Sequence, residues 1–278
     1  MNRPASFQVP DLTHPAFALR SHAGPSSTVA ATQSTLPVGA CAKPDDVVVL
    51  LLIDLAPGSL LWGWSRVVFG QWLLRHVRGL RFSKAMGSGQ DGGFGLRPSA
   101  TRQSLFAVFD GEAAAQDFLA HSKVMTAYRA HSRECCVAVL RATSCRGTWG
   151  GQCIGVTAMN ASTAAHEPAD AAPVAALTRA SIRPGRAWKF WRHSPASEHA
   201  LAQAAGCRMA VGMGEAPLLR QATFSVWDRQ ADMDAYARQG PHLDAIRAAQ
   251  RENYFSESMF VRFTVLRLEG QFKGQRHG

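Results

Sequence analysis

The sequence is short of sulfur chemistry, of charged runs and of long apolar segments. Its six cysteines, Cys41, Cys135, Cys136, Cys145, Cys153 and Cys207, form no CxxC and no second pair at zinc-finger spacing, which argues against a zinc ribbon or a dithiol centre. The net charge is +10, yet there is no Lys/Arg run and no RNA-type aromatic signature, so nucleic acid is not expected as a partner. An anionic membrane surface or an acidic protein suits that charge better. No secretory apolar core opens the chain: residues 1–44 are rich in Pro, Ser, Thr and Ala and read as a flexible tail. A cytoplasmic compartment with reduced thiols is the expectation. "VVVLLLI" (47–53) is too short to span a bilayer and ends at Asp54, so it reads as a buried strand. No Ser/His/Asp set or pair of carboxylates stands out for hydrolysis.

What is present is enough apolar material for a core, 46% hydrophobic against 18% charged, in a chain of 278 residues. It is also patterned twice. "SLFAVFDGEAAAQDFLAHSKVMTAYR" and, 118 residues on, "ATFSVWDRQADMDAYARQGPHLDAIR" share Phe106/Phe224, Val108/Val226, Asp110/Asp228, Ala113/Ala231, Ala127/Ala245 and Arg129/Arg247. Strands are expected at 47–53, 80–86, 103–110 and 135–142, with one helical stretch from Glu112 to about His131. A second set is expected at 175–182, 207–214, 221–228 and 258–268, with helices from about Pro184, over 230–238 and over 241–253. Strand, helix, strand, strand, helix, strand is the ferredoxin-like order. The predicted architecture is α+β: two duplicated ferredoxin-like units, 45–147 and 174–272, packed as a dimeric α+β barrel within one chain. Residues 148–173 have linker composition, and 273–278 read as a basic tail. The nearly all-apolar "SLLWGWSRVVFGQWLLRHV" (59–77) reads either as a buried core helix or as one lying on a membrane, where Trp62, Trp64 and Trp72 would suit the interface.

"GSGQDG" (87–92) fits a G-x-G-x-x-G pattern, but "GFGLRPSA" follows it with no helical periodicity, so a strand connection is expected and not a dinucleotide site. The second copy differs from the first at one telling place: Pro241-His242 replaces Lys123-Val124. Proline suits the first turn of a helix, and His242, Ala245, Ile246, Ala249 and Asn253 share one helical face. Valine at the matching position says that this face looks inward. His242 is then a core histidine satisfied by one hydrogen bond, a catalytic base, or a haem axial ligand. In the strand beside it Thr178, Ala180 and Ile182 share one face, and small residues under the helix would leave space for a flat ligand. Arg179, Arg183 and Arg186 are candidate partners for haem propionates, or structural and solvated arginines. His193 is a weaker ligand candidate. A cysteine thiolate ligand is not favoured, because no cysteine lies in a suitable glycine- and phenylalanine-rich loop.

"GLRFSKAMGSG", "LTRASIRPGRAWKFW", "GMGEAPLLRQATFSVW" and "GPHLDAIRA", spread between Val47 and Phe272, make the chain resemble the spheroidene monooxygenase family of carotenoid biosynthesis. The resemblance implies oxygenation of an acyclic methoxylated carotenoid at C-2, CH2 to ketone through two hydroxylations. It implies haem iron as cofactor, O2 as oxidant and reduced ferredoxin as electron donor. The placement of the iron on His242 rests on the comparison of the two copies and not on the resemblance. An insoluble substrate implies a protein peripheral to the inner or photosynthetic membrane. Two other readings stand beside this one: a cofactor-free monooxygenase with His242 as base, and a non-catalytic carotenoid- or lipid-binding module.

Overall fold

The computed structural model describes residues 45–93, 97–156, 172–216 and 218–278. In chain order the first half contains β1 (Val47–Leu55), α1 (Leu60–Leu74), β2 (Leu80–Gly89), β3 (Pro98–Phe109), α2 (Glu112–His121), α3 (Lys123–His131) and β4 (Ser132–Gly147). The second half contains β5 (Val174–Ile182), α4 (Ala187–Ala202), β6 (Cys207–Ala216), β7 (Arg220–Trp227), α5 (Gln230–Ala237), α6 (Gly240–Arg251) and β8 (Phe255–Phe272), followed by β9 (Gln275–His277). Hydrogen-bonded neighbours run β4-β1-β3-β2-β6-β7-β5-β8-β9, and β4 also pairs with β8. The first eight strands therefore close into an antiparallel barrel, which leaves no long free edge among them. Within the halves the orders are β4-β1-β3-β2 and β8-β5-β7-β6, the same arrangement in each.

The two joints between the halves are unequal. β2 meets β6 through Gly87 opposite Gly214 and Ser88 opposite Met213. The Ser88 hydroxyl adds a hydrogen bond to the Gly212 carbonyl at 2.6 Å. β4 and β8 instead pair from Cys136 opposite Gly270 to Gly147 opposite Met259. Gly147 and Gly270 bracket this long joint at φ +78° and +105°, and a Cβ on either would run into the facing backbone carbonyl of Ser258 or Cys135.

Every residue of β1 is buried because the strand has two covered faces. Val48, Leu50 and Leu52 point into the barrel with Phe106, Phe224 and Phe263. Val47, Val49, Leu51 and Ile53 point out, under the helical layer, with Leu105, Phe109 and Phe118. Alternation is lost in such a strand, which is why it reads as a continuous apolar run.

Several elements depart from the sequence expectation. The helix expected over 112–131 is two, because Ser122 takes an extended conformation and accepts the Val124 amide at 3.1 Å, capping α3. The segment with linker composition is structured at its start: Trp149 is fully buried and Ile154 nearly so, both inside the barrel. Residues 157–171 of that segment, and residues 1–44, lie outside those described. β3 begins at Pro98, β8 reaches Phe272, and part of the expected basic tail is β9. The two G-x-G glycines, Gly87 and Gly89, lie in β2 and a 3-10 turn follows, so no helix N-terminus is offered to a pyrophosphate.

Candidate active site

A cavity of about 240 Å³ lies in the second half, between α4–α6 and the outer face of the sheet. It exists because the sheet residues under the helices are small. Ala176 and Thr178 of β5 and Thr223 and Ser225 of β7 form the floor, and Ala245 and Ala249 of α6 form part of the roof. Trp191, Trp227, Tyr254 and Phe260 supply apolar walls. Concave, mostly apolar space with few polar groups is the usual form of a small-molecule site.

His242 stands at this cavity, in the first turn of α6 behind Pro241. Its ring stacks on Tyr236, centroids 4.6 Å apart and planes at 24°. Tyr236 is itself placed by its hydroxyl, which donates to the Ser197 carbonyl of α4 at 3.1 Å, and by Trp227 at 5.5 Å. Burial pushes the His242 pKa below the ordinary 6.5. The helix N-terminus, which disfavours a cation, acts in the same direction. The imidazole is therefore neutral at physiological pH, and no hydrogen bond to its ring is found among the described residues. A neutral ring of this kind has a lone pair available for a metal or a proton. Burial also raises the Tyr236 hydroxyl far above its ordinary value, so it stays a neutral donor.

One ion pair borders the cavity. Arg262 of β8 donates to Asp234 of α5 at 2.6 Å, and Arg238 lies 3.6 Å from the other carboxylate oxygen. Among the described residues no three of His, Cys, Asp or Glu gather to hold a metal ion. Protein side chains there supply one strong ligand and not a full set.

No family model matches the chain. Against individual proteins it is 54% identical over 233 residues to spheroidene monooxygenase of Rubrivivax gelatinosus, covering 84% of this chain and 87% of that one. The chain belongs to the spheroidene monooxygenase family. Spheroidene monooxygenase of Rhodobacter capsulatus is 38% identical over 218 residues, 78% of this chain and 88% of that protein. Membership makes the protein an oxidoreductase of the monooxygenase type. A solved aldoxime dehydratase superposes with a TM-score of 0.52 at 11% identity, over 81% of this chain and 83% of that one, a likeness of fold.

Within this spheroidene monooxygenase family member the sequence candidates fall in three places. His242 is at the cavity with Ala245, Ile246 and Ala249. Asn253 is not on that helical face: α6 ends at Arg251, and Asn253 takes φ +49° in the turn that follows. Arg179 is on the other side of β5, inside the barrel and 3% exposed. Its guanidinium bonds Glu257, lies 3.3 Å from Glu215 and sits over the Trp149 ring at 5.6 Å. An anion in the helix-side cavity would not meet it. Arg183 and Arg186 are exposed at the turn before α4, and Arg186 lies 3.9 Å from Glu252. The His193 side chain lies outside what is described.

The Arg179 cluster is a structural network inside the barrel, in which the Arg179 Nε is buried without a hydrogen-bond partner. Trp149 donates to Glu215 at 2.7 Å, and Lys84 lies 3.0 Å from the same carboxylate. Burial alone would raise the Glu257 pKa; hydrogen bonds from Gly151, Gly150, Thr148 and Arg179 outweigh it and hold the carboxyl down to about 2. Asp234, Tyr236 and Arg262 are the site residues that sequence reasoning missed, and Trp191, the end of "AWKFW", is a cavity wall that the sequence did not assign to the His242 site. Asp234 and Tyr236 lie within the second copy of the repeat but are not among the positions that the two copies share. Tyr236 sits six residues before His242, and their stacking depends on how α5 and α6 fold against each other.

Proposed function

We propose that the protein oxidises the C-2 methylene of an acyclic methoxylated carotenoid to a ketone, with haem carried on His242 in the second-half cavity. The observation that carries the reading is a neutral imidazole, stacked on Tyr236 and without a hydrogen bond to its ring among the described residues, at an apolar cavity floored by small side chains. That donor set fits a cofactor that brings its own equatorial ligands and needs one nitrogen from the protein. When bound, haem would supply the activation of O2.

The chain's own residues do the rest. His242 offers its lone pair from a fixed helix turn, with the ring plane set by Tyr236. Thr178, Thr223 and Ser225 keep the floor low enough for a flat group and a polyene end. Trp191 and Phe260 exclude water from an apolar chain. Arg262, paired with Asp234, is the cationic group at the cavity, and the propionate-facing role falls to it and, at the turn before α4, to Arg183 and Arg186. Arg179 is left to the barrel network.

The target carbon is allylic to the polyene, so its C–H bond is weak. Each round inserts one oxygen atom from O2 and reduces the other to water with two electrons and two protons. After the second round a geminal diol loses water to the ketone, which needs no further catalytic group. Reduced ferredoxin is the proposed donor, and the chain's net charge of +10 suits an acidic iron–sulfur protein. The two halves are read as copies of one ferredoxin-like unit, supported by their shared strand order.

The test is an absorption spectrum of the purified protein, reduced and with carbon monoxide, for wild type and His242→Ala. A Soret band with a histidine-type CO complex, lost or shifted in the variant, is expected. A wild type that stays colourless after reconstitution with haem, yet consumes O2 and carotenoid without an electron donor, would leave His242 as a base. A colourless protein that binds carotenoid unchanged would make it a carrier.

A further inference from the structure

α1 is built inside out. Its inner face, against β2 and β3, carries Gly63 and Gly70, and a Cβ at Gly70 would stand 2.9 Å from the Ala85 methyl. The small inner side lets the helix lie close to the sheet, and most of the large side chains, Trp62 and Leu74 apart, are left outside. Leu61, Trp64, Val68, Phe69 and Trp72 are 88%, 43%, 69%, 59% and 59% exposed, and their spacing puts them on one side of the helix. Ser65, within this stripe, returns its hydroxyl to the Trp62 carbonyl at 2.6 Å. Five large apolar side chains in one patch are unusual on a surface that faces only water.

The sequence that carries the stripe has charge of one sign. From Leu55 to Gln90 the sequence holds no Asp or Glu, while Arg66, Arg75, Arg78, Arg81 and Lys84 fall in that stretch. Arg81 and Lys84 are neutralised by Asp46 and Glu215. For Arg66, Arg75 and Arg78 no carboxylate is within ion-pair distance among the described residues. Arg66 and Arg75 instead lie over the Trp62 and Trp72 rings, at 4.9 and 4.6 Å. Aromatic rings at the boundary with guanidinium groups beside them match the layering of a headgroup region.

We propose that this face of α1 docks on an anionic lipid bilayer. The stripe would enter the acyl boundary while Arg66, Arg75 and Arg78 meet lipid phosphates. A second copy of the chain fits less well, since an isologous contact through α1 would bring the same uncompensated arginines together. No helix among the described residues is long and apolar enough to cross a membrane, so the contact is a surface one. The proposal deepens the carotenoid reading, for which it brings the protein to the bilayer that holds an insoluble substrate, but its test uses neither substrate nor cofactor.

The full chain is floated with phosphatidylglycerol-rich vesicles and with pure phosphatidylcholine vesicles, at low and high salt. Strong binding to the anionic vesicles is expected, weakened by salt, with affinity reduced about tenfold or more in Trp64→Glu/Phe69→Glu. Quenching of wild-type tryptophan fluorescence by brominated acyl chains gives a second measurement that needs no variant. A wild type that neither floats nor is quenched overturns the proposal, as does a double variant that floats as well as wild type. A dimer that the double variant dissociates, in a protein with no vesicle affinity, would also overturn it and assign the stripe to a second copy. Failure in any of these ways leaves the haem spectrum and the oxygenation untouched.

Discussion

Counting from the strand pairs that begin the two halves, Val47 opposite Phe109 and Val174 opposite Trp227, the helix-side positions can be compared one by one. Val49, Leu51, Leu105 and Ala107 in the first half correspond to Ala176, Thr178, Thr223 and Ser225 in the second. On the helices, Val124, Tyr128 and His131 correspond to His242, Ile246 and Ala249. In the first half the rings fill the layer: Trp62 stacks on His131 at 4.2 Å and meets the edge of Tyr128 at 5.3 Å. In the second half the same layer holds the cavity. One backbone plan thus serves as a packed core on one side and a site on the other. The difference is side-chain volume at a handful of equivalent positions, with the imidazole moved from the end of α3, at His131, to the start of α6, at His242.

This comparison can be broken experimentally. Refilling the second half with first-half residues, Thr178→Leu with Thr223→Leu, should lower turnover about hundredfold or more by displacing bound groups. The melting temperature should hold or rise, because apolar volume is restored. Full activity in that variant would place the chemistry elsewhere. Hollowing the first half by Leu105→Ala should cost about 2–5 kcal/mol in urea unfolding, since a solid layer acquires a void. Turnover per folded molecule should stay near wild type, and a selective loss of activity would show that the first half is more than scaffold.

The smallest effect is in pH. Folding lowers the His242 pKa below 6.5 by burial, so the unfolded chain takes up the proton first as pH falls. Stability present above 6.5 is therefore lost progressively as pH falls below it, down to the folded group's own pKa. His242→Leu should flatten the apoprotein's stability curve over that window, as read by denaturant midpoints at several pH values. An unchanged curve would mean that the ring is solvated in the folded state.

Much of the fold is visible in the sequence because it is carried by local pattern. Strand and helix order follow from apolar periodicity, and Pro241 marks the start of α6. The inward direction of His242 follows from the valine at the matching place. What could not be read depends on partners far along the chain. Trp149 lies in "TWGGQC", which looks like a linker; it is buried against Phe82 and Phe106, with Glu215, 66 residues away, accepting its indole N–H. Arg179 alternates correctly along β5, but which face of that strand meets the barrel is decided by pairing with β7 and β8. The Asp234–Arg262 pair at the cavity likewise joins a helix to a strand 28 residues on. The break at Ser122 is a local capping event that helical periodicity runs straight through.

The unequal joints of the barrel give the molecule a direction in which to breathe. Two paired residues from each strand hold β2 to β6, whereas β4 and β8 are stitched along most of their lengths. A ring fastened this way opens at the weak clasp and turns about the strong one. Deuterium should therefore enter the amides around Gly87, Ser88, Met213 and Gly214 well before those of the β4–β8 ladder. The two halves would move as the covers of a book whose spine is the long joint, and each could flex against the other without dismantling the layer that holds His242.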